Sequence, residues 1–166
     1  MEDKRRIQAP FDETTVEQLR AGDEVLIDGV LYTARDAAHQ RLVDSFRAGE
    51  ELPLQLAGQV IYYVGPAPAK PGHVVGPAGP TTSGRLDAYT LPLLERGVKG
   101  LIGKGYRSEA VKAALVKHRA VYLAAIGGAA ALIAQAITAS RFVAYADLGT
   151  EAIREFTVAG FPAIVV

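Results

Sequence analysis

Between residues 86 and 145 short apolar runs alternate with segments of helical period, and this rhythm restricts the fold more than any other feature of the sequence. A helix-like segment near 86–96 leads to an apolar run at 98–102, a helix at 108–118 and a run at 120–124. A helix at 128–139 and a run at 141–145 follow. Short strands that recur with one helix between them favour right-handed β-α-β crossovers and hence parallel pairing. The class expected is α/β, and a chain of 166 residues is long enough to bury one core without staples, so a single domain over 1–166 is the simplest organisation. Pro92 is a local objection, because inside a helix it removes a donor and bends the backbone.

The first part of the chain reads differently. Thr14 and Glu17 have the spacing of a capping box, with Gly22 placed to end the short helix that follows. Residues 24–27 and 30–33 flank Asp28-Gly29, a dipeptide suited to the positive φ angles of a two-residue hairpin turn. Over 36–48 the apolar positions Ala38, Leu42, Val43 and Phe46 fall near a helical period, and Gly49 is a stop. Arg35 therefore sits at a strand-to-helix junction. Residues 60–64 form a β-rich run, and Val158 and 163–166 suggest terminal strands.

Charge and composition exclude several functions. Lys plus Arg and Asp plus Glu both number 18, so no global field draws the chain to nucleic acid or to an anionic membrane. The sequence has no cysteine, which excludes disulfides and a conventional cysteine-ligated cluster held by this chain alone. Residues 1–6 are charged, with no apolar signal core behind them. The longest apolar region, 120–137, is interrupted by Gly127, Gly128 and Gln135, which does not suit a membrane span. Cytoplasmic residence is the expectation.

Chemistry concentrates in the Pro- and Gly-dense stretch that follows residue 64 and continues to Gly84. A long irregular segment inside a small domain is usually functional. Its densest part is Gly76-Pro-Ala-Gly-Pro-Thr-Thr-Ser-Gly-Arg85, where prolines and glycines surround three hydroxyls and a guanidinium. Glycine admits close approach of the main chain to a ligand, proline limits mobility, and a following helix start offers free N–H groups. Arg85 adds a planar fork matched to a carboxylate. Ser83 taken alone reads as an N-cap. The glycines of Gly79 to Arg85 have the spacing of a nucleotide-binding loop, but Arg85 and Leu86 stand where Lys and Ser or Thr are required.

A second cationic loop, Ile102-Gly-Lys-Gly-Tyr-Arg-Ser108, follows a buried strand, where α/β folds place ligand groups. Lys104, between two glycines, has room to reach a small substrate; a solvated turn lysine is the alternative. Arg107 is expected to pair with an acid such as Glu109. His39 is expected to position Arg35 or to bond within its helix, and His118 to complement a helix dipole. Neither these nor His73 has the companions of a metal site. Gly127-Gly128 lacks a full dinucleotide motif and suits close helix-sheet packing.

Taken together, Ala34-Arg-Asp-Ala-Ala-His39, Gly65-Pro-Ala-Pro-Ala-Lys-Pro-Gly72, Gly79-Pro-Thr-Thr-Ser-Gly-Arg85, Gly103-Lys-Gly105, Ala125-Ile-Gly-Gly128 and Asp147-Leu-Gly-Thr-Glu-Ala152 resemble class I fumarate hydratases and L-tartrate dehydratases. The resemblance runs from about Thr14 to the C-terminus and corresponds to the family's C-terminal domain or separate β-subunit. It implies a swivelling β/β/α domain with mixed sheets, which closes over a [4Fe-4S] cluster carried by another domain or α-subunit. By the same resemblance Arg35, Arg85 and Lys104 match residues that bind the carboxylates of a C4 dicarboxylate. Thr81 matches a threonine assigned as catalytic base, and Thr82 its neighbour in the site. A homodimer of β within an α2β2 assembly is also implied. Tartrate and mesaconate remain open as substrates, as does a non-catalytic anion-binding role.

Overall fold

A computed structural model describes residues 4–125 and 130–166. The elements in order are β1 (Arg5–Ala9), α1 (Glu13–Gln18), β2 (Glu24–Thr33), α2 (Asp36–Arg47) and β3 (Val60–Tyr62). After a long irregular segment come a 3-10 turn at Ser83–Leu86, α3 (Asp87–Glu95), β4 (Gly100–Gly103), α4 (Glu109–Lys117) and β5 (Val121–Ala124). The chain ends with α5 (Ala130–Ala136), β6 (Ile137–Ala144), a 3-10 segment at Ala146–Glu151 and β7 (Ile153–Val165).

The strands form one seven-stranded sheet in the order β1-β2-β3-β4-β5-β7-β6, with β2 also bonded to β7. That extra pairing closes a circuit through β2, β3, β4, β5 and β7, leaving β1 and β6 outside it. Pairing is parallel from β1 through β5 and antiparallel wherever β7 takes part. The architecture is thus mixed α/β, and the parallel crossovers expected over 98–124 are present.

Strand periodicity sorts the apolar side chains into two cores. Val60, Tyr62, Val64, Ile102 and Leu123 point into an inner core with Ile27, Leu31, Phe156 and Phe161. Their neighbours Ile61, Tyr63, Leu101 and Tyr122 face the other way, onto Ala38, Leu42 and Val43 of α2, Leu93 and Leu94 of α3, and Ala114 of α4. Each fully buried large side chain stabilises by about 1.5–3 kcal/mol. Both faces of the parallel strands are thereby covered, as such strands require.

Several expectations are corrected. Asp28-Gly29 is no hairpin turn: β2 runs unbroken through it, and the dipeptide forms a bulge where the register to β7 shifts between Ile27 and Gly29. Gly29 has φ +110°, and a Cβ there would meet Ala9 O at 2.1 Å, so the close approach of β1 demands glycine. The first helix is capped by Asp12, whose carboxylate accepts from Thr15 N at 2.7 Å, rather than by a Thr14–Glu17 box. α5 ends at Ala136, and the next strand starts at Ile137 and pairs with β7 in antiparallel fashion, so the last expected parallel crossover does not occur. β7 is one long strand where two short runs were expected. Pro92 lies inside α3 without ending it. The reading of Gly127-Gly128 falls outside the described residues.

Candidate active site

Parallel strands carry their following loops at one edge, and the candidate residues gather at the carboxyl ends of β2, β3 and β4, the edge at which α/β folds with parallel strands bind ligands. Arg35 leaves β2 and is the N-cap residue of α2. Its backbone carbonyl accepts from His39 N at 2.9 Å and from His39 Nδ1 at 2.8 Å, so the imidazole carries its proton on Nδ1. His39 is fully buried, edge-on to Tyr63 at 5.5 Å, and burial lowers its pKa from 6.5 to about 4. Arg35 Nε and His39 Nε2 are both buried and without a hydrogen-bond partner among the described residues.

Arg35 and Arg85 converge on one carboxylate. Asp36 Oδ2 lies 3.6 Å from Arg35 Nη2 and 2.7 Å from Arg85 Nη2. The Arg85 side chain is 56% exposed, so this pair is worth little in stability and is free to exchange partners. Gly65 makes room for the arrangement: a Cβ there would meet Arg35 Cδ at 3.0 Å. The 3-10 segment after β6 closes the corner, with Glu151 Oε1 accepting from Ala37 N at 3.3 Å in the first turn of α2.

Thr81, Thr82 and Lys104 form the other half. Thr81 N donates to Tyr63 O at 2.7 Å, just beyond the end of β3. Thr82 and Lys104 form an isolated parallel bridge, with Lys104 N donating to Thr81 O at 3.3 Å and Ser83 N to Lys104 O at 2.8 Å. Thr81 is half-buried, while Thr82 and Lys104 are exposed. All five residues singled out in the sequence therefore stand on one rim, in two contact groups.

Beneath this rim lies a buried polar network that sequence reasoning missed. Arg107 Nε donates to Asp87 Oδ1 at 2.7 Å, Nη1 to Tyr63 Oη at 3.1 Å and Nη2 to Thr90 Oγ1 at 2.8 Å. Its guanidinium also stacks on Tyr63 and Tyr122, 5.2 Å and 5.1 Å from their ring centroids. Arg107 thus pairs with Asp87 rather than Glu109, since Glu109 lies in the first turn of α4 and bonds Lys112. Burial raises the pKa of the Tyr63 and Tyr122 hydroxyls and keeps both protonated, with Tyr63 Oη accepting from Arg107 and Tyr122 Oη donating to Gly105 O. Ser83 is no helix cap: it is fully buried, and its hydroxyl bonds Tyr122 Oη at 2.8 Å. No local pattern announces these contacts, because the partners are 15 to 44 residues apart in the chain.

Fold and site together define a mixed α/β domain with a rim of hydroxyls and cations suited to a small anion. Residues 2–166 match the family model described as Fumarase C-terminus. The chain is 42% identical over 141 residues to the protein named Fumarate hydratase class I, anaerobic, of Escherichia coli strain K12, covering 84% of this chain and 26% of that protein. It is 37% identical over 164 residues to Fumarate hydratase 2 of Leishmania major, covering 96% of this chain and 29% of that protein. A protein of Methanocaldococcus jannaschii with the provisional name L(+)-tartrate dehydratase subunit beta is 34% identical over 156 residues, covering 91% of this chain and 80% of that protein. The chain belongs to the Fumarase C-terminus family. It spans between a quarter and a third of the length of these two fumarate hydratases.

Proposed function

We propose that this chain is the cluster-free component, of β-subunit type, of an iron–sulfur-dependent hydro-lyase that interconverts fumarate and malate. The observation that carries the reading is the meeting of Arg35 and Arg85 on a single carboxylate oxygen, beside the Thr82–Lys104 bridge. A C4 dicarboxylate is a dianion, and removing it from water without paired donors is strongly unfavourable. Two guanidiniums that already share the Asp36 carboxylate are arranged to accept one from a substrate, and Lys104 on the neighbouring loop serves the other end. Thr82 adds a hydroxyl donor at the same rim.

Thr81 is the proposed base. A neutral alcohol is a weak base and its anion is unstable, so it needs preorganised cations and donors around it. Lys104, joined to Thr81 through the main chain, is one of these; the rest come from the partner, so Thr81 acts only in the assembled complex.

The residues of this chain do not fit a [4Fe-4S] cluster: it has no cysteine, and among the described residues no three His, Cys, Asp or Glu side chains gather as a metal site. The cluster is therefore assigned to an α-subunit, and this chain binds, orients and moves a proton. Two cores divided by the parallel strands support a swivelling β/β/α domain that closes over that partner, as a β homodimer within an α2β2 enzyme. No described helix is long and apolar enough to cross a membrane.

A second reading, tartrate dehydratase, is favoured by the coverage of most of the Methanocaldococcus subunit. Anaerobic coexpression with a cluster-bearing subunit, followed by assays with fumarate, malate and both tartrate enantiomers, separates the two. Turnover of fumarate and malate is expected; preference for a tartrate transfers the assignment, and no turnover of any C4 acid overturns both. In the active complex Thr81→Ala is expected to retain dicarboxylate binding and lose turnover, and unchanged turnover removes Thr81 from the mechanism.

A further inference from the structure

We propose that the buried hydroxyl pair Ser83–Tyr122 is the positioning device that holds Lys104 beside Thr81. This rests on the reading of Lys104 as a carboxylate-binding residue. Lys104 has glycine on both sides, and Gly105 takes φ +84°, so neither immediate neighbour has a side chain with which to fix its path. Arg107 fixes the far end of the loop, and at Lys104 itself anchorage has to come from other elements.

It comes from β5. Tyr122 Oη donates to Gly105 O at 2.8 Å and also lies 2.8 Å from Ser83 Oγ. A tyrosine hydroxyl has one proton, and the Gly105 carbonyl can only accept. Ser83 must then be the donor to Tyr122, which fixes the direction of the chain as Ser83 Oγ–H to Tyr122 Oη–H to Gly105 O. Ser83 in turn donates its backbone N–H to Lys104 O at 2.8 Å. Lys104 is thus gripped at its own carbonyl and at the next one, by groups that share a single hydrogen-bonded chain. The other tie to the threonine segment, Lys104 N to Thr81 O, is long at 3.3 Å and weaker.

Two further observations show that the chain has no slack. Gly103 leaves the space that Ser83 fills, since a Cβ there would lie 2.1 Å from Ser83 Oγ. The Tyr122 ring is pinned by the Arg107 guanidinium at 5.1 Å, and Arg107 is itself fixed by Asp87, Tyr63 and Thr90. Ser83 and Tyr122 are both buried, so they act through the position of Lys104.

The test is a double-mutant cycle in the reconstituted complex, because a fold-stabilising role and a positioning role differ in coupling rather than in single-variant loss. Tyr122→Phe keeps the ring and removes the hydroxyl. It is expected to lower kcat/KM by on the order of 10- to 100-fold, mainly through a raised KM for the dicarboxylate. Lys104→Ala is expected to cost much less on the Tyr122→Phe background than on the wild type, whereas Arg35→Ala is expected to cost the same on both. Ser83→Ala enters the same cycle from the donor end and covers failure of Tyr122→Phe to fold. Additive losses with Lys104→Ala overturn the inference while leaving the proposed function intact. If Lys104→Ala in the otherwise native complex leaves turnover unchanged, the assigned role of Lys104 is what fails.

Discussion

His39 is neutral in the folded chain because burial disfavours its charged form, with a pKa of about 4 against an ordinary 6.5. A depressed pKa contributes stability that is fully present above 6.5 and is lost as pH falls toward 4, since only the unfolded chain takes up the proton in that window. The slope reaches at most about 1.4 kcal/mol per pH unit. Urea unfolding between these two pH values is expected to show declining stability for the wild type and a flatter profile for His39→Gln; parallel profiles locate the acid sensitivity elsewhere. Arg107 poses a different question at the same scale. Arg107→Ala leaves the Asp87 carboxylate without its cation and strips the Tyr63 and Thr90 hydroxyls of a donor, at an expected cost of about 3–5 kcal/mol. Arg107→Lys, a point charge without the planar fork, cannot meet three acceptors at once and is expected to fall between the two. Denaturant midpoints at constant slope check both.

Elements show where local signals suffice. The crossovers from β3 through β5 were legible because their apolar period and their local boundaries, such as Ser108 at the start of α4, lie within a few residues of the helices they bound. β2 was not, since Asp28-Gly29 gives the same local signal for a hairpin turn and for a bulge. What decides is remote: β1 pairs one side of β2 and β7 the other, and Asp28 bonds both Arg6 and Gly160 N. Substitution at the bulge measures this choice. Gly29→Ala is expected to cost at least about 2 kcal/mol, because it combines a positive φ with a clash against Ala9 O. Faster hydrogen exchange in β1 is the companion observation, and unchanged exchange there argues that the bulge is not what holds β1 in place. The candidate site follows the same division. Thr81, Thr82, Arg85 and Lys104 were legible because glycine and proline bracket them, and Arg35 because it sits at a strand-to-helix junction within a motif of the family, whereas the shared Asp36 carboxylate and the Arg107 network depend on distant partners that no spacing rule identifies.

At the scale of the whole chain, two cores invite the question of whether the molecule unfolds once or twice. The argument for a single transition lies in β3, β4 and β5, whose alternate residues belong to opposite cores: Val60 and Tyr62 to one, Ile61 and Tyr63 to the other. A strand cannot leave one core and stay in the other. The closed circuit adds to this, because β7 bonds β2 along one side and β5 and β6 along the other, so its detachment breaks pairings on both. Phe161→Ala, which empties a site packed edge-on against Tyr62 at 5.0 Å, is expected to cost about 3–5 kcal/mol, and Leu94→Ala under the helices about 2–5 kcal/mol. Both are expected to shift one common thermal transition seen alike by far-ultraviolet and near-ultraviolet circular dichroism. Two resolved transitions, with Leu94→Ala moving only one of them, would show that the helical layer melts apart from the closed sheet. The rim residues would then stand at a boundary between separately folding layers rather than on a single rigid edge.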